Sequence, residues 1–141
     1  MSYNLFLDDI RHPHDAYYHT KDSAFLDLKW TVVRNYDEFR KIIERNFSLG
    51  IFPSLIAFDH DLADEHYRSE QKTDLTLQEY YMTNDREMTG YDCAKWLVDF
   101  CMDNDVKLPR FIVHSMNPDG NKNIRVLLEN FKKHQDNENT R

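Results

Sequence analysis

The segment "FDHDL", residues 58–62, sets Asp59 and Asp61 around His60 directly after the apolar run "SLIA". Ionisable groups at a strand end are costly to cover unless something compensates them. A bound metal, phosphate chemistry or a structural knot of ion pairs would each do so. A second run, "YNLFLDD", passes from Leu5, Phe6 and Leu7 straight into Asp8 and Asp9, with Arg11 just beyond. A third, "RFIVHS", ends in His114 and Ser115, with Asn117, Pro118 and Gly120 following. Clustered carboxylates suit a hard divalent cation such as Mg²⁺. Imidazoles suit proton transfer near neutral pH, and could equally ligate Mn²⁺ or Zn²⁺. Ser115, Asn117 and the backbone N–H groups near Gly120 lie just before a helical pattern, whose positive end favours an anion. The planar fork of Arg11 could hold a phosphate.

The intervening sequence supplies the elements that must position these groups. "YNLFL", "WTVVRN" and "SLIAF" read as strands, the third helped by Pro53, and "RFIVHS" follows Pro109 as the fourth. Asn35 caps a helix with Glu38 three residues on, carrying Phe39, Ile42, Ile43 and Phe47 at helical spacing until Gly50 stops it. Thr89 and Asp92 flank the start of another helix, with Ala94, Leu97, Val98 and Cys101 on one face. Gly120 precedes a last helix with Ile124, Leu127, Leu128 and Phe131 inward. Strands alternating with helices argue for an α/β parallel sheet with right-handed crossovers. In such sheets ligands bind beyond the carboxyl ends of the strands, which is where all three polar clusters fall. Residues 11–29 are polar and rich in histidine, so the first crossover reads as a short helix or a loop. The stretch 63–88 is long for a connection, as lids and binding segments often are. Thr76 with Glu79 marks a short helix within it, and Tyr80 and Tyr81 either lean over the pocket or cover the sheet edge.

Length and composition fit one domain, 1–134, followed by a disordered polar tail, 135–141. The net charge of −7 argues against broad nucleic-acid binding, which relies on neutralising many phosphates. No apolar run is long enough to span a membrane, and no basic leader precedes the first strand. Cys93 and Cys101 share one apolar helical pattern and read as buried free thiols of a cytoplasmic protein.

Taken together, "LFLDDIRHP", "IAFDHDL", "TGYDCAKWL" and "VHSMNPDG" resemble the cyclic-phosphate-processing receiver-like family, a relative of response-regulator receivers. The resemblance runs from the first strand to the last helix. It implies a flavodoxin-like parallel sheet in the order 2-1-3-4, with helices on both faces and a long insert after the third strand. It also implies a role in processing a small-molecule nucleotide or RNA-end cyclic phosphate. Asp8 and Asp9 match the acidic pair that holds Mg²⁺ in receivers, Asp59 the phosphoacceptor, and Ser115 the hydroxyl residue of the fourth strand. The phosphate-pairing lysine that follows a fifth strand in receivers has no counterpart here, and His60 and His114 are additions.

The leading expectation is therefore a phosphodiesterase-type hydrolase. Asp8, Asp9 and Asp59 would hold Mg²⁺ or Mn²⁺, and Arg11, Ser115 and Asn117 would bind phosphate. His60 and His114 would act as base and acid in either order, with Asp61 orienting His60. A metal-free version would leave the two histidines and Arg11 to work alone. The second expectation is a non-catalytic module that binds a phosphorylated ligand or a partner protein, and a true aspartyl-phosphate receiver ranks third. Each group also has a structural reading: Asp8 and Asp9 as caps or partners of Arg11, and His60 and His114 as packed core histidines.

Overall fold

The computed structural model describes residues 2–62 and 88–139. The long insert falls outside the described residues, and with it the Thr76–Glu79 cap and Tyr80 and Tyr81. Four strands, β1 (Ser2–Leu7), β2 (Thr31–Val33), β3 (Phe52–Phe58) and β4 (Arg110–Val113), form one parallel sheet in the expected order β2-β1-β3-β4. Leu5 pairs with Thr31 on one side and with Ile56 on the other, and Ile56 pairs in turn with Phe111. The β1–β3 register slips between Tyr3 and Asn4, beside Pro53, whose ring nitrogen has no hydrogen to donate to the ladder.

The two faces are covered unequally. Leu5, Leu7, Ile56, Phe58 and Val113 face a large core closed by α3 (Tyr36–Ser48), α4 (Gly90–Asn104) and α5 (Pro118–Asn139). Phe39 and Ile43 from α3, Leu97 from α4, and Ile124 and Leu128 from α5 are almost wholly shielded from solvent. Burying each such side chain contributes about 1.5–3 kcal/mol. Phe6 and Ala57 point the other way, onto two short helices, α1 (Pro13–Thr20) and α2 (Ala24–Asp27), through Ala16 and Phe25. The weakly periodic segment 11–29 is thus two short helices, the alternative of a plain loop being excluded.

Local signals set the helix boundaries. Asn35 accepts from the Glu38 N–H at 2.9 Å, and Gly50 follows α3 with φ +79°, a conformation that favours glycine. Thr89 and Asp92 form the reciprocal capping box that opens α4. Two boundaries differ from the reading of the sequence. Helix α5 opens at Pro118, so Gly120 lies in its first turn instead of preceding it. It also runs on to Asn139, beyond the expected end of the ordered domain at 134. Gln135 anchors this extension by accepting from the Leu108 N–H and donating to the Val106 carbonyl, each at 2.9 Å. No helix among the described residues is long and apolar enough to cross a membrane.

Candidate functional site

Asp8 and Asp59 continue the two central strands just past their paired residues. The Asp8 N–H donates to the Val33 carbonyl at 3.1 Å, and the Asp59 N–H donates to the Leu7 carbonyl at 3.0 Å. The sheet's own ladder therefore brings the two side chains together at its carboxyl edge. Asp8, Asp9 and Asp59 each offer a carboxylate oxygen within 4.8 Å of the others.

Their environments differ sharply. Asp8 is fully buried but well served: Oδ1 accepts from the backbone of Ile10 and Arg11 at 3.0 and 2.9 Å, and Oδ2 lies 3.1 Å from His114 Nε2. Burial pushes its carboxyl up, yet these donors outweigh burial and hold it below the usual range. Burial and the neighbouring Asp8 raise Asp9. Asp59 is almost fully buried, and no donor reaches its carboxylate among the described residues. Burial, reinforced by Asp8 and Asp9, lifts it to about 7. Such a trio needs positive charge. Oxygen ligands, close spacing and unrelieved repulsion fit a hard divalent cation, and Arg11, 3.7 Å from Asp8, compensates only in part.

The two histidines do not converge on this cluster from one side. His114 stacks on Phe6 with ring centroids 4.7 Å apart and meets Phe25 edge-on, within the smaller core. Its side chain is sealed from solvent and its pKa is lowered by burial, against the pull of Asp8. The expected acid–base role of His114 does not fit this placement: an imidazole sealed from solvent, with Nε2 3.1 Å from Asp8 Oδ2, holds a carboxylate in position. His60 lies on the opposite face, against α5. Its Nδ1 is 2.8 Å from Asp61 Oδ1, and Nε2 has no partner among the described residues.

Asn117 is engaged within the chain. Its Oδ1 accepts from the Gly120 N–H at 3.0 Å as the cap of α5, and its Nδ2 lies 3.4 Å from Asp61, so the amide is committed to architecture. Ser115 Oγ accepts from the Asn117 N–H at 3.1 Å and lines a separate cavity beside α5, with Lys122 and Arg125. The expected site residues thus form a carboxylate cluster with Arg11, a His60–Asp61 pair turned toward α5, and Ser115 in the wall of a cavity beside that helix.

Sequence reasoning passed over Arg34. Its guanidinium donates to the carbonyls of Asp8 at 3.1 Å and Arg11 at 2.6 Å, pinning the loop that carries the acidic pair. Its place at the carboxyl end of the "TVVR" strand was the available signal. Two of the chain's three glycines were passed over as contacts. A Cβ on Gly90 would overlap the Asp59 carbonyl, and one on Gly120 would overlap the His60 ring.

The model of the family described as "Cyclic-phosphate processing Receiver domain" matches residues 3–130. No curated protein and no solved structure matches the chain.

Proposed function

The chain belongs to the family of cyclic-phosphate processing receiver domains, and from that premise we propose that it hydrolyses a cyclic phosphodiester of a nucleotide or RNA end. The observation that carries this reading is a buried Asp59, its carboxylate without a donor among the described residues, grouped with Asp8 and Asp9, with the His60–Asp61 pair adjoining it in sequence. Asp8, Asp9 and Asp59 would hold a divalent cation, Mg²⁺ or Mn²⁺. When bound, it would supply charge to the phosphoryl oxygens as negative charge builds there.

The other steps belong to side chains of the chain itself. Arg11, about a third exposed beside the cluster, pairs with a non-bridging phosphate oxygen. Asp61 accepts from His60 Nδ1–H, which fixes the tautomer and leaves the Nε2 lone pair to take a proton from water. The water oxygen bonds to phosphorus as the bond from phosphorus to one ribose oxygen breaks. That oxygen takes a proton from solvent, because His114 is sealed away, and His60 returns its own proton to solvent. His114 and Arg34 act through the residues they hold, fixing the Asp8 rotamer and the 8–11 loop.

The test is a panel of cyclic phosphates incubated with the protein in Mg²⁺ and in Mn²⁺, run in parallel on His60→Ala. Ring opening should be metal-dependent, and His60→Ala should lower turnover by ~10²–10⁴-fold while metal binding persists. Should the unaltered protein open no cyclic phosphate with either ion yet bind one, the site is a non-catalytic receiver-like module.

A further inference from the structure

Two cavities lie along α5 and share Lys122 and Val126 in their walls. One, about 480 Å³, adds Ser115, Asn121 and Arg125; the other, about 750 Å³, adds His60, Thr89, Tyr91 and Asn123. Each lies in the size range of a small-molecule site. Neither Lys122 nor Arg125 has an ion-pair or hydrogen-bond partner among the described residues. Glu129 is the one acidic side chain among the described residues that line them. In a chain of net charge −7 this groove is a local reversal of sign. Its wall also contains the ring of His60, so it is continuous with the group assigned above to proton transfer.

We propose that the groove binds the last two nucleotides of an RNA chain that ends in the cyclic phosphate, so that the substrate is an oligonucleotide end and not a lone cyclic mononucleotide. This rests on the hydrolase reading and extends it. The His60 cavity takes the terminal nucleoside, with Tyr91 as a stacking face. Lys122 and Arg125 take the internucleotide phosphate, and the Ser115 cavity takes the next nucleoside. A mononucleotide would leave one ligand-sized cavity and Arg125 unused. The acidic remainder of the chain keeps the contact short, since neutralising a long run of phosphates requires a more basic surface.

Binding is measured by calorimetry on the full chain in Mg²⁺, with a nucleoside 3′-phosphate and a dinucleotide 3′-phosphate as probes. Both are monoesters, so hydrolysis of a cyclic phosphate does not enter. The dinucleotide should bind roughly fivefold tighter or more, the lower end of what one stacked base contributes. Its affinity should also fall more steeply with salt, by a slope of about 0.7 for the added phosphate. Lys122→Glu combined with Arg125→Glu should erase both differences. Lys132→Glu combined with Lys133→Glu, the same charge change at exposed positions further along α5, should keep them. Equal affinity for the two probes overturns the inference, and so does a preference that survives in the Lys122/Arg125 variant. A charge-dependent preference in a protein that opens no cyclic phosphate would uphold the groove and defeat the hydrolase reading instead.

Discussion

At the scale of single residues, similar side chains have opposite fates according to what surrounds them. Asp8 and Asp59 lie side by side, but among the described residues only Asp8 of the two receives donors. Replacing Asp59 with Asn should therefore remove repulsion and raise the melting temperature of the metal-free protein at pH 8, while abolishing divalent-cation binding. A lowered melting temperature together with intact metal binding would refute the grouping. The histidines divide in the same way. His114→Ala opens a cavity beneath Phe6 and strips Asp8 of its imidazole donor, which should cost about 3–5 kcal/mol. His60→Ala, at the partly exposed position, should leave the unfolding midpoint in denaturant nearly unchanged. Reversed costs for the two variants would mean that their roles have been exchanged.

At the scale of elements, α4 and α5 approach β3 through glycine. Gly90 donates its N–H to the His60 carbonyl at 2.7 Å, and Gly120 faces the His60 ring. A methyl group at Gly90 meets backbone, which cannot turn aside, so Gly90→Ala should impair folding or cost several kcal/mol, an overpacking penalty at or above ~1–3 kcal/mol. At Gly120 the methyl meets a side chain that can rotate. Gly120→Ala should therefore fold but displace His60, lowering turnover more than stability. Comparing melting curves and turnover for the two variants checks this: a Gly120→Ala protein with the full turnover of the unaltered one would show that the His60 placement is immaterial.

At the scale of the whole molecule, the acidic cluster should make stability depend on pH and, where the cluster holds the proposed cation, on metal. The folded-state value of Asp59, about 7, lies above its unfolded value of 3.8, so its contribution is fully present below about pH 4 and is lost as pH rises through 7. His114 is shifted down, so its contribution is complete above its ordinary value of 6.5. Between pH 6.5 and 8 the Asp59 effect should take about 1 kcal/mol from the metal-free protein, partly offset near pH 6.5, where the unfolded His114 is still half protonated. Asp59→Asn should flatten the slope. A divalent cation at a hundred times its Kd should restore about 2.7 kcal/mol at pH 8. Melting curves with and without Mg²⁺ or Mn²⁺ measure both effects, and a flat, metal-insensitive profile would refute the site.

The parallel sheet, the caps at Asn35 and Thr89, and the grouping of Asp8, Asp9 and Asp59 were all legible in the chain. Each rests on local patterning, or on the rule that strand ends of a parallel sheet share an edge. Alternation along the strands also carried the rest of the answer, though less visibly. The ring of His114 shares a face with Phe6 and Phe25, whereas that of His60 shares one with α5. Which imidazole reaches solvent depended on what each face is packed against, and that is a property of helices remote in sequence. The same holds for Asn117, claimed by the first turn of α5, for Arg34, which reaches across to another strand's loop, and for Gln135, whose two backbone partners make helix of a tail that reads as disordered. Residue types and spacing determined which groups meet at the carboxyl edge. Only tertiary packing decided which of them is sealed, which is committed to holding the chain, and which keeps a ring nitrogen without a partner among the described residues.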